Sequence, residues 1–451
     1  MRQLILLFWL LFAASTYAAD TNVFEFKDGD RVALIGDTFI EREQRYGYVE
    51  FVLTTQFPDR NVTFRNLGWS GDTPAGASRL GFDIETPAKG LERIREQITN
   101  FNPTVVFVGY GMASSFDGEA GLKKFTREME QLLDEIEQIC GKEKVRFVLL
   151  SPIPHEKLPP PLPDPAKHNE QLALYGKAIE SIALSHKARF ISLLKALERA
   201  SFGGPVPPLT DDSIHLTAYG YRLAAEAIGR GLGWPPNAWR FGILKDGTLR
   251  KGSYGVQILE REKRDDYAKA VILQTQLGWP PRFPDETNGA AATPQNRFQV
   301  QGLKPGNYEL RIDTKMIQTV SDQQCNRSIV IDHGPEIEQA AQLRDAILKK
   351  NELFFHRWRP ENNTYLFLFR KHEQGQNAKE IPQFDPLVRA EEQKIAGLRK
   401  PAKHTIELVY AADQSIGPGP PTEAPKPKKQ VSAVTEHPAT PFRPQPPVVF
   451  Q

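Results

Sequence analysis

The chain has 451 residues, a net charge of +2 and 25% charged residues. That length allows a large core and more than one domain, and the near-neutral balance gives no electrostatic ground for a nucleic-acid partner. The two cysteines, Cys140 and Cys325, do not make a disulfide framework, and no Cys/His cluster has metal-ligand spacing, so no metal or cofactor is expected.

Arg2 precedes the apolar stretch Leu4–Ala14, and Ser15-Thr16-Tyr17-Ala18 ends in small residues. This pattern predicts a signal peptide over residues 1–18 and an exported protein, periplasmic or secreted; an uncleaved anchor is the alternative. The stretch is short for a membrane span, and no later one is long enough.

From Val32 to Gly231 short aliphatic strands alternate with amphipathic helices. The strands are expected at Val32–Ile35, Val62–Arg65, Thr104–Val108, Val145–Leu150 and Arg189–Ser192. Helices are expected at Leu122–Cys140 and His168–His186, with Leu122, Phe125, Met129, Leu132, Leu133 and Ile136 on one face of the first. Cys140 ends that face, as a small core residue would. Continuous apolar strands between helices predict a parallel sheet covered on both sides. After the fourth strand, "PIPHEKLPPPLPDPAK" reads as a stiff excursion, because proline cannot join a ladder.

Beyond Gly233 the pattern changes. "NRFQVQGLKPGNYELRIDT" alternates around Pro305-Gly306 and predicts an antiparallel hairpin within a β-rich module over 234–333. A helical, aromatic extension is expected over 334–412, and a disordered Pro/Lys-rich tail over 413–451.

In an open parallel sheet, sites form at the carboxyl ends of the strands. Four segments fall there: Gly36-Asp37-Thr38, "NLGWSGDT" (66–73), "GYGMASSF" (109–116) and "TDDSIHLTAYGY" (210–221). The chemistry they suggest is acyl transfer. Thr38 offers a hydroxyl at a strand-to-helix turn, His215 a base, and Asp212 a carboxylate to hold the ring. Glycine-rich turns expose N–H groups that can bind an oxyanion. Thr217 is the expected N-cap of the closing helix. Each piece has a plain structural reading as a turn, a cap or a chance spacing; the order at successive strand ends is what joins them.

These segments resemble the SGNH/GDSL hydrolases, a family of esterases and lipases with a flavodoxin-like α/β/α fold. The resemblance covers about Arg31–Gly231 and implies a hydrolase domain there. It implies that Thr38 stands where the family has its nucleophilic serine, that Gly71 donates to the oxyanion, and that Asp212 and His215 complete the catalytic set. Ala113 stands where the family has an asparagine donor, and Ser114 or Ser115 is the expected substitute. With Asp37, these two serines form the expected substrate-binding group. "HNEQLALYGKAIESIA" is similar to the family's penultimate helix. The longer phrases "IEREQRYGYVE", "RNLGWSGDT", "NELFFHRWRPENNTYLFLFRKHEQG" and "IPQFDPLV" resemble exported SGNH-type proteins of planctomycete bacteria.

The resemblance implies an ester substrate, with an acetylated carbohydrate as a candidate, and no cofactor. The alternative is an inactive SGNH-type fold that serves as a binding or scaffold protein of the envelope. "WPPNAWRF" (234–241) and "FFHRWRP" (354–360) read either as core and interface or as a stacking platform for sugar.

Overall fold

Five short strands build the first sheet: β1 (Arg31–Gly36), β2 (Thr63–Asn66), β3 (Val105–Gly109), β4 (Arg146–Leu150) and β5 (Arg189–Ile191). All pair in parallel, in the order β2-β1-β3-β4-β5. The computed structural model describes residues 23–79, 88–200, 207–282, 294–360 and 362–411. The expected signal peptide (1–18) and tail (413–451) lie outside them.

Every residue of β3 is buried, as a strand covered on both faces requires. The helices are α1 (Thr38–Glu43), α2 (Tyr48–Thr55), α3 (Ala88–Phe101), α4 (Gly118–Cys140), α5 (Ala166–Ser185), α6 (Leu193–Ala200) and α7 (Ala218–Gly231). They form two cores, one on each side of the sheet. Phe125, Met129, Leu132, Leu133 and Ile136 of α4 enter one with the alternate strand residues Ile35, Val106 and Val108. Leu34, Val105 and Phe107 face the other, with α2 and α7. This is the flavodoxin-like α/β/α arrangement, with β1 and β3 adjacent at the point where strand order reverses.

A second sheet holds β7 (Val256–Arg264), β8 (Tyr267–Gln274), β10 (Asn307–Ile312), β11 (Lys315–Ser321) and β13 (Lys403–Ala411), in the order β11-β10-β13-β8-β7. A third holds β6 (Arg240–Ile243), β9 (Asn296–Val300) and β12 (Ile329–Ile331). Both contribute to one apolar core around Trp239, Phe241, Ile272, Phe298, Leu310 and Ile406. The hairpin expected across Pro305-Gly306 does not form: β9 and β10 lie in different sheets. Alternation identified two strands, but each pairs elsewhere and meets the other only through the shared core. The hairpin joins β10 to β11 through Asp313-Thr314, both at positive φ (49° and 72°), as a tight two-residue turn requires. A sequence division at residue 333 also cuts this sheet, because β13 lies between β10 and β8.

Helices α8 (Asp322–Arg327) and α9 (Pro335–Trp358) follow, and α9 packs against Phe384–Leu398. Ala340, Leu343, Ala346 and Ile347 of α9 share the α2/α7 core. Lys350 joins them with a buried ion pair to Glu50 at 2.6 Å. The cysteines are free and sit in separate cores, Cys140 with α4 and Cys325 between the β-sheets. Among the described residues, no helix is long and apolar enough to cross a membrane.

Candidate active site

The carboxyl ends of β1 and β3 open into a cavity of about 520 Å³. Its wall carries Asp37, Thr38, Gly71, Ala113 and His215, with Phe39, Met112, Phe116, Ile153 and Ile214 as apolar lining. Phe39 and Met112 line it without closing it, and every lining residue precedes the C-terminal extension.

Thr38 begins α1 directly after β1. Asp37 caps that helix, its carboxylate accepting from Phe39 N at 3.3 Å and from Met112 N at 3.2 Å. It is 3% exposed, and burial pushes its pKa up to about 7 against those hydrogen bonds. Gly36 must be glycine: a Cβ there would meet Gly109 O at 2.3 Å, where β1 and β3 run closest to the site.

The 66–73 loop delivers Gly71. Trp69 N donates to Gly36 O at 3.0 Å, and Gly71, at φ 69°, turns its N–H onto Thr38 Oγ1 at 3.0 Å. Asp72 behind it makes a fully buried ion pair with Arg79 at 2.7 Å, and Tyr110 adds a hydroxyl donor at 3.3 Å. From the extension, Arg359 lies 3.5 Å over the Trp69 ring and bonds Glu41 at 3.0 Å. The other oxygen of Glu41 accepts from Ser70 N. Trp358 packs edge-on against Trp69. The 354–360 tract is therefore interface. So is 234–241, where Trp234 and Trp239 are buried. Neither offers an exposed stacking platform for sugar.

On the opposite side, His215 Nδ1 meets Asp212 Oδ2 at 2.6 Å, and His215 N donates to Asp212 Oδ1 at 3.0 Å. Burial works to raise the Asp212 pKa, but the hydrogen bonds from His215 and Ile214 hold it below the ordinary value. The pair is accessible, with side-chain exposures of 26% for His215 and 48% for Asp212. Thr217 caps α7 and accepts from Gly220 N at 3.2 Å.

Thr38 and His215 line one cavity, but no hydrogen bond joins them. Of the expected substrate-binding group, only Asp37 is on the wall. Ser115 points inward, donating to Met112 O at 2.8 Å and meeting His168 Nε2 at 2.7 Å; Ser114 is likewise buried and off the wall. Sequence reasoning missed His155 and His168, which lie behind the Asp212–His215 loop, and Ser213 within it, which they meet. Their tracts read as a stiff loop, a helix and an Asp-x-x-His loop, and none of those patterns shows the contacts between them.

A parallel sheet with a hydroxyl, a glycine N–H and an Asp-x-x-His pair at its strand ends narrows the comparison. Residues 34–223 match the GDSL-like Lipase/Acylhydrolase family. That match supports an SGNH hydrolase family for the GDSL-like region. No curated protein matches the chain in sequence. Among solved structures, a gut microbial diltiazem-metabolizing enzyme is 18% identical, with a TM-score of 0.66 over 86% of this chain and 99% of its own. That likeness is one of fold, and it extends well beyond the GDSL-like region. Axe2, an acetylxylan esterase from Geobacillus stearothermophilus, is 19% identical, with a TM-score of 0.37 over 47% of this chain and 98% of its own. LAE5, an alpha/beta hydrolase from the metagenome of Lake Arreo, Spain, is 21% identical, with a TM-score of 0.35 over 46% and 97%.

Proposed function

We propose that this protein hydrolyses carboxylic esters, with Thr38 as nucleophile. The observation that carries the reading is Gly71 N–H on Thr38 Oγ1, in one cavity with a histidine already held by a carboxylate. Thr38 Oγ1 turns from Gly71 toward His215 Nε2, which removes its proton as the oxygen attacks the acyl carbon. Gly71 N–H, released from the hydroxyl, then donates to the oxyanion. His215 returns the proton to the departing alcohol, and water, activated by the same ring, cleaves the acyl-threonine. Asp212 fixes the ring and stabilises the imidazolium.

Two departures slow this chemistry. The threonine methyl restricts χ1 and crowds the carbonyl's approach. Ala113 provides no side-chain donor, and an oxyanion donor of that kind is worth about 10²–10³ in rate. The same departures, with the absent Thr38–His215 hydrogen bond, support the rival reading of an inactive binding fold.

The cavity suits an uncharged acyl group, since its wall is mostly apolar and carries no lysine or arginine. An acetyl group on a polysaccharide would be its smallest occupant. A screen of aryl esters of increasing chain length and of acetylated sugars, wild type against His215→Ala, tests the reading. Ester turnover that disappears in the variant supports it. A wild type inert on every ester favours the binding fold.

A further inference from the structure

Behind the Asp212–His215 loop lies a chain of hydrogen bonds that the proposed chemistry does not use. Ser213 Oγ meets His155 Nε2 at 3.1 Å, His155 Nδ1 meets His168 Nδ1 at 2.9 Å, and His168 Nε2 meets Ser115 Oγ at 2.7 Å. Ser115 Oγ ends the chain at Met112 O, 2.8 Å away. It therefore joins the Met112 wall of the cavity to the loop that carries His215.

The last contact fixes the direction of every bond. A carbonyl only accepts, so the single Ser115 proton goes to Met112 O, and Ser115 Oγ accepts from His168 Nε2–H. His168 Nδ1 is then bare in the neutral ring and accepts from His155 Nδ1–H. His155 Nε2 is bare in turn and accepts from the Ser213 hydroxyl. The two histidines thus hold opposite tautomers, and the Nδ1–Nδ1 contact has room for one proton, not two.

What the chain holds is strained. Ser213 has φ 79°, a left-handed conformation that a non-glycine residue adopts at a cost. Glu156 N also holds it, donating to Ser213 O at 2.8 Å, while the Glu156 carboxylate takes the N–H groups of Leu209 and Thr210. Asn169 binds both the N–H and the C=O of His155, and Phe116 stacks on His168 with ring centroids 4.1 Å apart.

We propose that His155 and His168, in opposite tautomers, are positioning residues that clamp the Asp212–His215 loop to the Met112 wall. The clamp sets where His215 sits in the cavity. Its catalytic consequence rests on the esterase reading; the clamp itself does not. Burial holds both imidazoles below the ordinary histidine range, His168 at about 4, so the neutral pair is the form present at neutral pH. Asp212 faces His155 from the 210–216 loop and opposes that effect. The 114–117 turn and α5 meet the pair with Ser115, Phe116 and Asn169, which carry no charge, and the Glu156 carboxylate is occupied at Leu209 and Thr210.

The test uses the full chain with ¹⁵N-labelled histidine and NMR at pH 8. The expected spectrum has one ring in the Nδ1–H form, assigned by loss of its signals in His155→Ala, and a second in the Nε2–H form, assigned by loss in His168→Phe. His168→Phe keeps a ring against Phe116 but removes both hydrogen bonds. It should shift the amide signals of Ser213 and His215, which the clamp holds in place. On an ester that the wild type turns over, it should lower kcat by up to about 10²-fold, the cost of a misplaced group, with less change in KM. Both rings in the Nε2–H form, or Ser213 and His215 amides unmoved in His168→Phe, would overturn the clamp. A wild type without esterase activity sinks the esterase reading alone, because the tautomers and amide shifts are read without substrate.

Discussion

The two sides of the cavity are held by different means at their closest supports. The Thr38–Gly71 side is anchored by charge: Asp72 and Arg79 form an ion pair with neither side chain exposed, and Arg359 reaches in from the extension to Glu41. The His215 side is held from behind by neutral groups, two imidazoles and two hydroxyls in line, while its charges, the half-exposed Asp212, the Asp211–Arg42 pair and the Glu156 carboxylate on Leu209 and Thr210, lie outside that line. The contrast follows from the proposed work of each side. An oxyanion donor must stay where it is while charge develops, and a dry ion pair that would be costly to break fixes it. A general base must change its charge in every cycle. A charge in line with the two imidazoles would bias its titration, whereas their neutral hydrogen bonds give it position without adding a field of their own.

The comparison can be broken first at Asp72. Removing one partner of a buried pair leaves the other uncompensated, so Asp72→Ala should cost about 3–5 kcal/mol of stability. Denaturant unfolding measures this; a loss below about 1 kcal/mol would mean that the loop is not anchored by that charge.

Arg359→Met comes next. The pair with Glu41 is partly exposed, so its removal should cost about 1 kcal/mol or less in stability. The larger effect should be on catalysis. With Glu41 free to swing, the Ser70–Gly71 backbone loosens, and kcat should fall about tenfold with KM nearly constant, a part of the about 10²-fold that a 1 Å misplacement costs. Equal kinetics in variant and wild type would separate the extension from the site.

The smallest effect belongs to the neutral side. The His168 pKa is lowered in the fold, so between about 6.5 and 4 the unfolded chain binds more protons than the native one. Stability therefore falls as the pH drops through that window and is fully present above it. Because His168 is partly exposed, its share is about 1 kcal/mol or less. The melting temperature should drop less between pH 7 and pH 5 in His168→Phe than in the wild type. An equal drop would show that the ring titrates alike in both states.

The sequence reveals the first side of this comparison better than the second. The strands β1 to β5 are legible because burial on both faces makes each a continuous apolar run. Thr38, Gly71, Asp212 and His215 are legible because the sheet brings strand ends together whatever lies between them. Partners chosen by loop paths are not legible. His155 sits in a proline-rich loop without periodicity, and its contact with His168 depends on how that loop returns 13 residues later. Ser115 is next to a wall residue in sequence, yet it points the other way, because Met112 O and His168 satisfy it in the interior. The β9–β10 segment fails for a related reason: alternation reports that a strand has one buried face but not which strand lies beside it.

The most direct test of the central claim is a cycle of single and double variants on the best aryl ester, reading kcat/KM. Thr38 and His215 act on one proton and one carbonyl, so Thr38→Ala and His215→Ala should each reduce turnover to background. The double variant should then cost little beyond either single change, as for residues that work as a unit. Activity that survives Thr38→Ala, or losses that simply add, would contradict the assignment of Thr38 as the nucleophile served by His215.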